Sequence, residues 1–154
     1  MDSRLRQLAD ELFVQADAGV IVPGAISGKV LPLMFVLDIE RDKIERTELR
    51  LRVRLTGTAV DRIFTRSTGG HLLEEFLHGP RGDKVIDGFH HCANTGEPLW
   101  MRQVVLFEGK APRFVEGIAI YLTSERICGG LVAGELATQL KSGVFEREVL
   151  SRTR

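Results

Sequence analysis

The segment 48–56 alternates strictly between aliphatic and basic side chains, and this pattern constrains the fold more than any other feature of the sequence. Its aliphatic residues are Leu49, Leu51, Val53 and Leu55, and its basic residues are Arg50, Arg52 and Arg54. Successive side chains of a β-strand point to opposite faces, so the pattern predicts a strand with one buried face. The apolar segment 33–39 predicts a preceding buried strand, and Asp42-Lys43 marks the turn region of a hairpin.

The region between this hairpin and residue 99 predicts short helices. They cover residues 58–64, 71–77 and 83–94. The apolar residues of the third helix fall on one face at helical spacing: Val85, Ile86, Phe89, Cys92 and Ala93. Glycine-rich breaks separate the helices, and the segment 96–98 ends the last one.

Three further strands are predicted over residues 99–107, 114–122 and 127–133. Glu108-Gly109-Lys110 and the segment 123–126 connect them as sequential hairpins. Strands grouped at both ends of a helical middle predict an α+β domain, in which short helices cover one face of a five-stranded antiparallel sheet. The order lacks the β-α-β alternation of a doubly wound nucleotide-binding fold.

The two ends of the chain are predicted to lie outside this domain, which covers residues 30–134. Residues 1–19 predict an amphipathic helix with an apolar stripe that includes Leu5, Leu8, Leu12 and Phe13. A helix of about 15 residues is marginal alone, so this stripe must pack on the domain or on a second copy of the helix. Residues 135–154 are polar and weakly helical, and are predicted to form a tail.

Composition predicts one cytoplasmic domain. Lys and Arg together number 21, as do Asp and Glu, so the chain lacks the positive charge typical of nucleic-acid binding. The longest nearly continuous apolar stretch has about eight residues, whereas a membrane-spanning helix needs about 20. The N-terminus lacks the apolar core of a signal peptide. Cys92 and Cys128 form no disulfide framework, which indicates a reducing compartment.

Four motifs occur in an order and spacing that resemble a PAS domain. They are the segments 32–38 (Pro-Leu-Met-Phe-Val-Leu-Asp), 54–58 (Arg-Leu-Thr-Gly-Thr), 68–69 (Thr-Gly) and 96–98 (Gly-Glu-Pro). The resemblance is to the bacterial subfamily of short stand-alone PAS proteins, and Arg54, Gly57, Thr58 and Gly69 are its structural motif residues. Thr58 is also placed to cap the helix that follows Gly57. The segment 64–69 departs from the family pattern, because it is one residue short and lacks the first glycine.

The resemblance implies a non-catalytic sensory or protein-interaction module of bacterial signalling. Such a domain would enclose a small apolar pocket, and the candidate lining residues are Phe35, Phe64, Phe76, Phe89 and Trp100. The same five residues also fit a filled core. The resemblance further implies a homodimer, in which the stripe of Leu5, Leu8, Leu12 and Phe13 forms the interface, and a signalling protein as partner.

Two alternatives remain open at the level of sequence. A haem- or flavin-binding sensor is the first, but His90 lies on the flank of the predicted helix face and His91 points away from it, so no cofactor is expected. A small cone-fold enzyme of the isomerase or dehydratase type is the second. It would need an inward acid–base pair, and no catalytic constellation stands out. His71 and His78 lack the i, i+4 spacing of metal-binding histidines, so no metal site is predicted.

Overall fold

The computed structural model describes residues 1–41, 48–77, 79–105, 113–135 and 145–152. The helices are α1 (Ser3–Ala18), α2 (Thr58–Phe64) and α3 (Gly79–Thr95). The strands are β1 (Met34–Arg41), β2 (Leu49–Thr56), β3 (Leu99–Val105), β4 (Arg113–Thr123), β5 (Arg126–Glu135) and β6 (Glu146–Val149). Single 3₁₀ turns occur at Pro23–Ala25, Leu31–Leu33 and Leu73–Glu75. The turn predicted at 42–43, the loop at 108–110 and His78 lie outside the described residues.

The strands form one antiparallel sheet in the order β2-β1-β5-β4-β3-β6. This confirms the α+β class and the predicted strands at both ends of a helical middle. The sheet has a sixth strand, however, so the prediction of five strands followed by a separate tail is wrong. β6 pairs with β3, the Leu150 amide donates to the Pro98 carbonyl at 2.9 Å, and the Leu150 side chain is buried. Four largely polar residues form this strand because the edge of β3 supplies their backbone partners.

The sheet separates two apolar cores. On its inner face, side chains of β1, β2 and β3 pack against α3 and the 3₁₀ turn Leu73–Glu75. On its outer face, side chains of β4 and β5 pack against α1. Sheet faces alternate residue by residue, so β1, β3, β4 and β5 contribute to both cores. Strand β2 contributes to the inner core only, because its other face carries arginines.

Helix α1 is a fixed part of the outer core. The Asp2 carboxylate caps it by accepting from the Arg4 amide at 2.8 Å, and Gly19 ends it with φ 72°. The four residues predicted for a dimer interface are all buried within one chain, three of them completely: Leu5, Leu8, Leu12 and Phe13. The structure therefore corrects that prediction, because the sheet of the same chain already covers the stripe.

The prediction of a helix over residues 71–77 is also wrong, since only the 3₁₀ turn Leu73–Glu75 forms there. The preceding residues pair with the edge of β2 instead. The Gly70 amide donates to the Val53 carbonyl at 2.7 Å, and the Val53 amide donates to the His71 carbonyl at 2.9 Å. Backbone groups committed to this strand edge are not free to continue a helix. The resulting turn brings Phe76 toward the inner core.

Candidate functional site

A cavity of about 60 Å³ lies between the inner face of the sheet and the helical layer. Its deep wall is formed by buried side chains: Phe35, Leu37, Val53, Phe89 and Met101. Half-buried apolar side chains surround its mouth: Phe64, Phe76, Leu77, Leu131 and Phe145. The cavity is lined almost entirely by hydrocarbon, as sites that bind apolar small molecules commonly are.

Four of the five aromatic residues predicted to line a pocket meet at this cavity, in two pairs. The rings of Phe35 and Phe89 lie edge to face in the deep wall, with centroids 5.6 Å apart. The rings of Phe64 and Phe76 lie edge to face at the mouth, with centroids 5.0 Å apart. Such pairs contribute about 0.5–1.5 kcal/mol beyond the area that they bury, so they stabilise the wall and the mouth of the cavity.

Trp100 is not part of the cavity, which corrects the prediction. Its indole lies on the outer face of the sheet, where Nε1 donates to Oε2 of the buried Glu116 at 2.7 Å. The same carboxylate oxygen accepts from the Asp2 amide at 2.9 Å and so ties α1 to β4. Along β3, Met101 faces the cavity and Trp100 faces away from it, as strand alternation requires.

The polar side chains at the cavity wall bond to the protein itself. Oδ1 of Asp61 accepts from the hydroxyl of Thr56 at 3.0 Å and from the hydroxyl of Thr68 at 2.9 Å. It also accepts from the Thr68 amide at 3.1 Å. The Gln103 amide Nε2 donates to the Arg81 carbonyl at 3.1 Å. A guest in the cavity therefore meets mainly carbon.

Asp61 is a residue that the sequence analysis missed. Its carboxylate joins the end of β2, helix α2 and the segment before Gly69, all of which border the cavity. The available signal was an acidic residue in the first turn of a predicted helix, between two threonines. That signal alone does not distinguish a structural hub from a solvated side chain.

The predicted motif residues support the fold and not the cavity. Gly57 precedes α2 where a Cβ would overlap the Pro32 carbonyl oxygen, so the close approach of these two backbones requires glycine. Thr58 is the first residue inside α2, and Gly57 holds the capping position, so the capping prediction for Thr58 is wrong. Arg54 is exposed, and its Nη1 lies 3.4 Å from Oδ2 of Asp38. Gly69 is exposed, and the positive φ of 81° falls on Gly70.

The histidines of α3 lie outside the cavity. His90 is half-buried beside Glu74 and Asp83 in a surface groove, and its partial burial lowers the pKa of the imidazole. Nε2 of His91 lies 3.0 Å from Glu97 Oε1. Among the residues that the structure describes, no group of three His, Cys, Asp or Glu side chains is arranged to hold a metal ion.

Both cysteines are buried, and neither forms a disulfide. Desolvation raises the pKa of the Cys92 thiol to about 12, and it raises the pKa of the Cys128 thiol to about 12 as well. A nucleophilic or metal-binding cysteine requires an accessible thiolate. These two thiols therefore act as small apolar side chains of the two cores.

Comparison of the chain with protein-family models, with curated proteins and with solved structures gives no match. Within the described residues, no helix combines the length and the hydropathy that a membrane crossing requires. Function is therefore inferred from the cavity and from the surfaces around it.

Proposed function

We propose that the protein is a non-catalytic, PAS-like sensory or interaction module that binds a small, neutral, apolar molecule in the inner cavity. The observation that carries this proposal is the apolar wall: among the described lining residues, the hydroxyls of Thr56 and Thr68 and the amide Nε2 of Gln103 already donate to protein oxygens. A ligand with its own donors or acceptors would lose water and gain little in return. A hydrocarbon has no hydrogen bonds to water that it would lose on entering the cavity.

The size of the cavity limits the ligand. An apolar cavity of about 150 Å³ stays dry and admits benzene or xenon. At about 60 Å³, the cavity admits a guest of only a few heavy atoms unless its mouth widens. The half-buried Phe64–Phe76 pair is the part of the wall that can move, because both rings border solvent.

Movement of this pair supplies a way to report binding. Phe64 is the last residue of α2, and Phe76 follows the 3₁₀ turn that packs on β2. A ligand that separates the two rings favours the conformation in which α2 and this turn are further apart, and so shifts the population of the domain. The readout is association with a partner protein that distinguishes the two conformations.

Native mass spectrometry of freshly purified protein tests the proposal, because it shows any ligand that co-purifies. Xenon titration followed by methyl NMR shifts tests the cavity directly. We expect shifts at Val53, Leu131 and Met101, with none at Val36, which lies on the outer face. Val53→Phe should abolish the xenon shifts, whereas the matched variant Val36→Phe should preserve them in protein that remains folded. Equal shifts on both faces of the sheet would contradict the proposal.

A further inference from the structure

Residues 145–152 run along the edge of the sheet and contact both of its faces, and we call this segment the strap. Phe145 borders the inner cavity and packs against the inner core. Leu150 is buried in the outer core, on the opposite face of the sheet. An odd number of residues separates the two positions, so strand alternation directs them to opposite faces. One short segment is therefore in contact with both cores.

The inner side of the strap covers the part of the cavity wall that β3 supplies. Arg147 lies opposite Met101 in the β3–β6 register. A Cβ at Gly88 of α3 would overlap Met101 Sδ and would lie 3.8 Å from Arg147 Cδ, so the stem of Arg147 lies beside the contact between α3 and β3. Phe145 is two residues away on the same face, at the cavity mouth. The strap therefore closes one side of the cavity.

The other end of the strap lies on helix α1. The Arg152 guanidinium donates to both carboxylate oxygens of Asp17, at 2.7 and 2.8 Å, and lies 4.6 Å from the centre of the Phe13 ring. Nη1 of Arg6 donates to the Ser151 carbonyl oxygen at 2.7 Å. The side chains of Arg152 and Asp17 are both more than half exposed, so water competes for this ion pair.

The rest of the strap is held mainly by its backbone. Four of its residues pair with β3, and Leu150 is its one buried side chain. Nη2 of Arg102 lies 2.7 Å from Glu146 Oε2, but both side chains are about one third exposed. Detachment of eight residues regains conformational entropy, which offsets much of what these contacts contribute. We therefore expect the strap to detach from β3 more often than the sheet unfolds.

The register identifies the amides that report this detachment. The Leu150 amide donates to the Pro98 carbonyl at 2.9 Å, and every second residue from there directs its amide across the β3–β6 ladder. On β3 these residues are Trp100 and Arg102, whereas Met101 directs its amide to β4. Detachment of the strap exposes the first two amides to water and leaves the Met101 amide protected.

We propose that the strap is a gate for the inner cavity: it detaches from β3 to admit a small apolar molecule, and the bound molecule holds it closed through contact with Phe145. This inference rests on the proposed function and adds the regulation of the same site. A ligand that binds only while the strap is closed lowers the population of the detached state by the factor 1 + [L]/Kd. Detachment also leaves the backbone of Trp100 and Arg102 without partners on that side, so the ligand controls how often the edge of β3 is exposed.

Hydrogen exchange of the full chain, followed residue by residue by NMR, tests the gate. Without ligand, the amides of Trp100 and Arg102 should exchange at least about tenfold faster than the Met101 amide, after correction for intrinsic rates. Xenon is then added at its dissociation constant, which the methyl shifts at Val53 measure. Exchange at Trp100 and Arg102 should become about twofold slower. Exchange at Met101 should slow by the same factor, because unfolding of the sheet also releases xenon, and it serves as the internal control for binding.

Two variants of the strap make the test specific. Phe145→Ala removes the contact between ligand and strap, so xenon at the dissociation constant of this variant should slow exchange at Met101 but not at Trp100 or Arg102. Val149 is on the same face of the strap but is 57% exposed and does not border the cavity, so Val149→Ala should behave as the wild type does. The measurements on the wild type decide the proposal even if Phe145→Ala does not fold.

Three outcomes would overturn the gate. Equal exchange at Arg102 and Met101 without ligand would show that the strap opens only when the whole sheet unfolds. Xenon that slows exchange at Met101 but leaves Trp100 and Arg102 unchanged would show that the cavity binds ligand without the strap. An absence of xenon shifts at Val53 would contradict the proposed function itself, and the gate with it.

Discussion

Close packing of α1 on the sheet predicts an energetic coupling between Leu8 and Gly130. Leu8 is completely buried, and a Cβ at Gly130 would overlap its Cδ2 atom while lying 3.1 Å from the Leu33 carbonyl oxygen. Leu8→Ala should lower the free energy of unfolding by about 2–5 kcal/mol, because it leaves a cavity in the outer core. Gly130→Ala should lower it by about 1–3 kcal/mol, because the added methyl group enters a filled contact.

The double variant makes the test specific. In the protein with both changes, the methyl group at position 130 occupies part of the space that Leu8 leaves. Its loss of stability should therefore be smaller than the sum of the two single losses by about 0.5–3 kcal/mol. Urea unfolding of the wild type, the two single variants and the double variant, followed by circular dichroism, measures these differences in unfolding free energy.

The control comes from the same helix. Val14 is 71% exposed, so Val14→Ala should change the free energy of unfolding by no more than about 0.5 kcal/mol. The packing of α1 on β5 would be refuted if the losses of unfolding free energy for Leu8→Ala and Gly130→Ala were strictly additive. A loss below about 1 kcal/mol for Leu8→Ala would refute it as well. Packing of the stripe on a second chain would instead make the unfolding midpoint depend on protein concentration.

The remaining predictions concern the backbone, a buried carboxylate and the thiols. Gly57→Ala should destabilise the protein by more than about 3 kcal/mol in urea unfolding, since its Cβ would overlap a backbone carbonyl that cannot move away freely. Glu116→Ala should lower the unfolding free energy by about 1–3 kcal/mol because the Trp100 indole loses its acceptor, and Glu116→Gln, which keeps an acceptor, should cost less. Each of Cys92 and Cys128 has a pKa of about 12, so about one thiol in ten thousand should be ionised to thiolate at pH 8. Ellman's reagent should therefore react with these cysteines only as fast as the protein unfolds locally and exposes them. The unfolding free energy should also fall as pH rises above about 9, because the unfolded thiols ionise there and the folded ones do not.

Local patterns in the sequence were sufficient for strands β1 to β5 and for most of the inner cavity. Alternation over β2 identified the buried residues Leu49, Leu51 and Val53, but the prediction is wrong for Leu55, which is 40% exposed because the β1–β2 register shifts at this end. Phe35 and Phe89 were assigned to the core from their place in a strand and on a helix face. Trp100 was misplaced because Leu99, Trp100 and Met101 are all apolar, so the pattern there does not show which face each residue takes. Only the pairing of β3 with β4 decides that register.

The amphipathic stripe of α1, the glycine before α2 and the alternation of the strands follow from the chain itself, because each depends on neighbours within a few residues. Three features depend on segments far apart in sequence: the docking of α1 on β4 and β5, the addition of β6 to β3, and the packing of α2 on β5. Local periodicity shows that a surface must be covered, but it does not show by what. The tertiary structure decided that the sheet of the same chain covers the stripe, and that the edge of β3 binds residues 146–149 as a sixth strand.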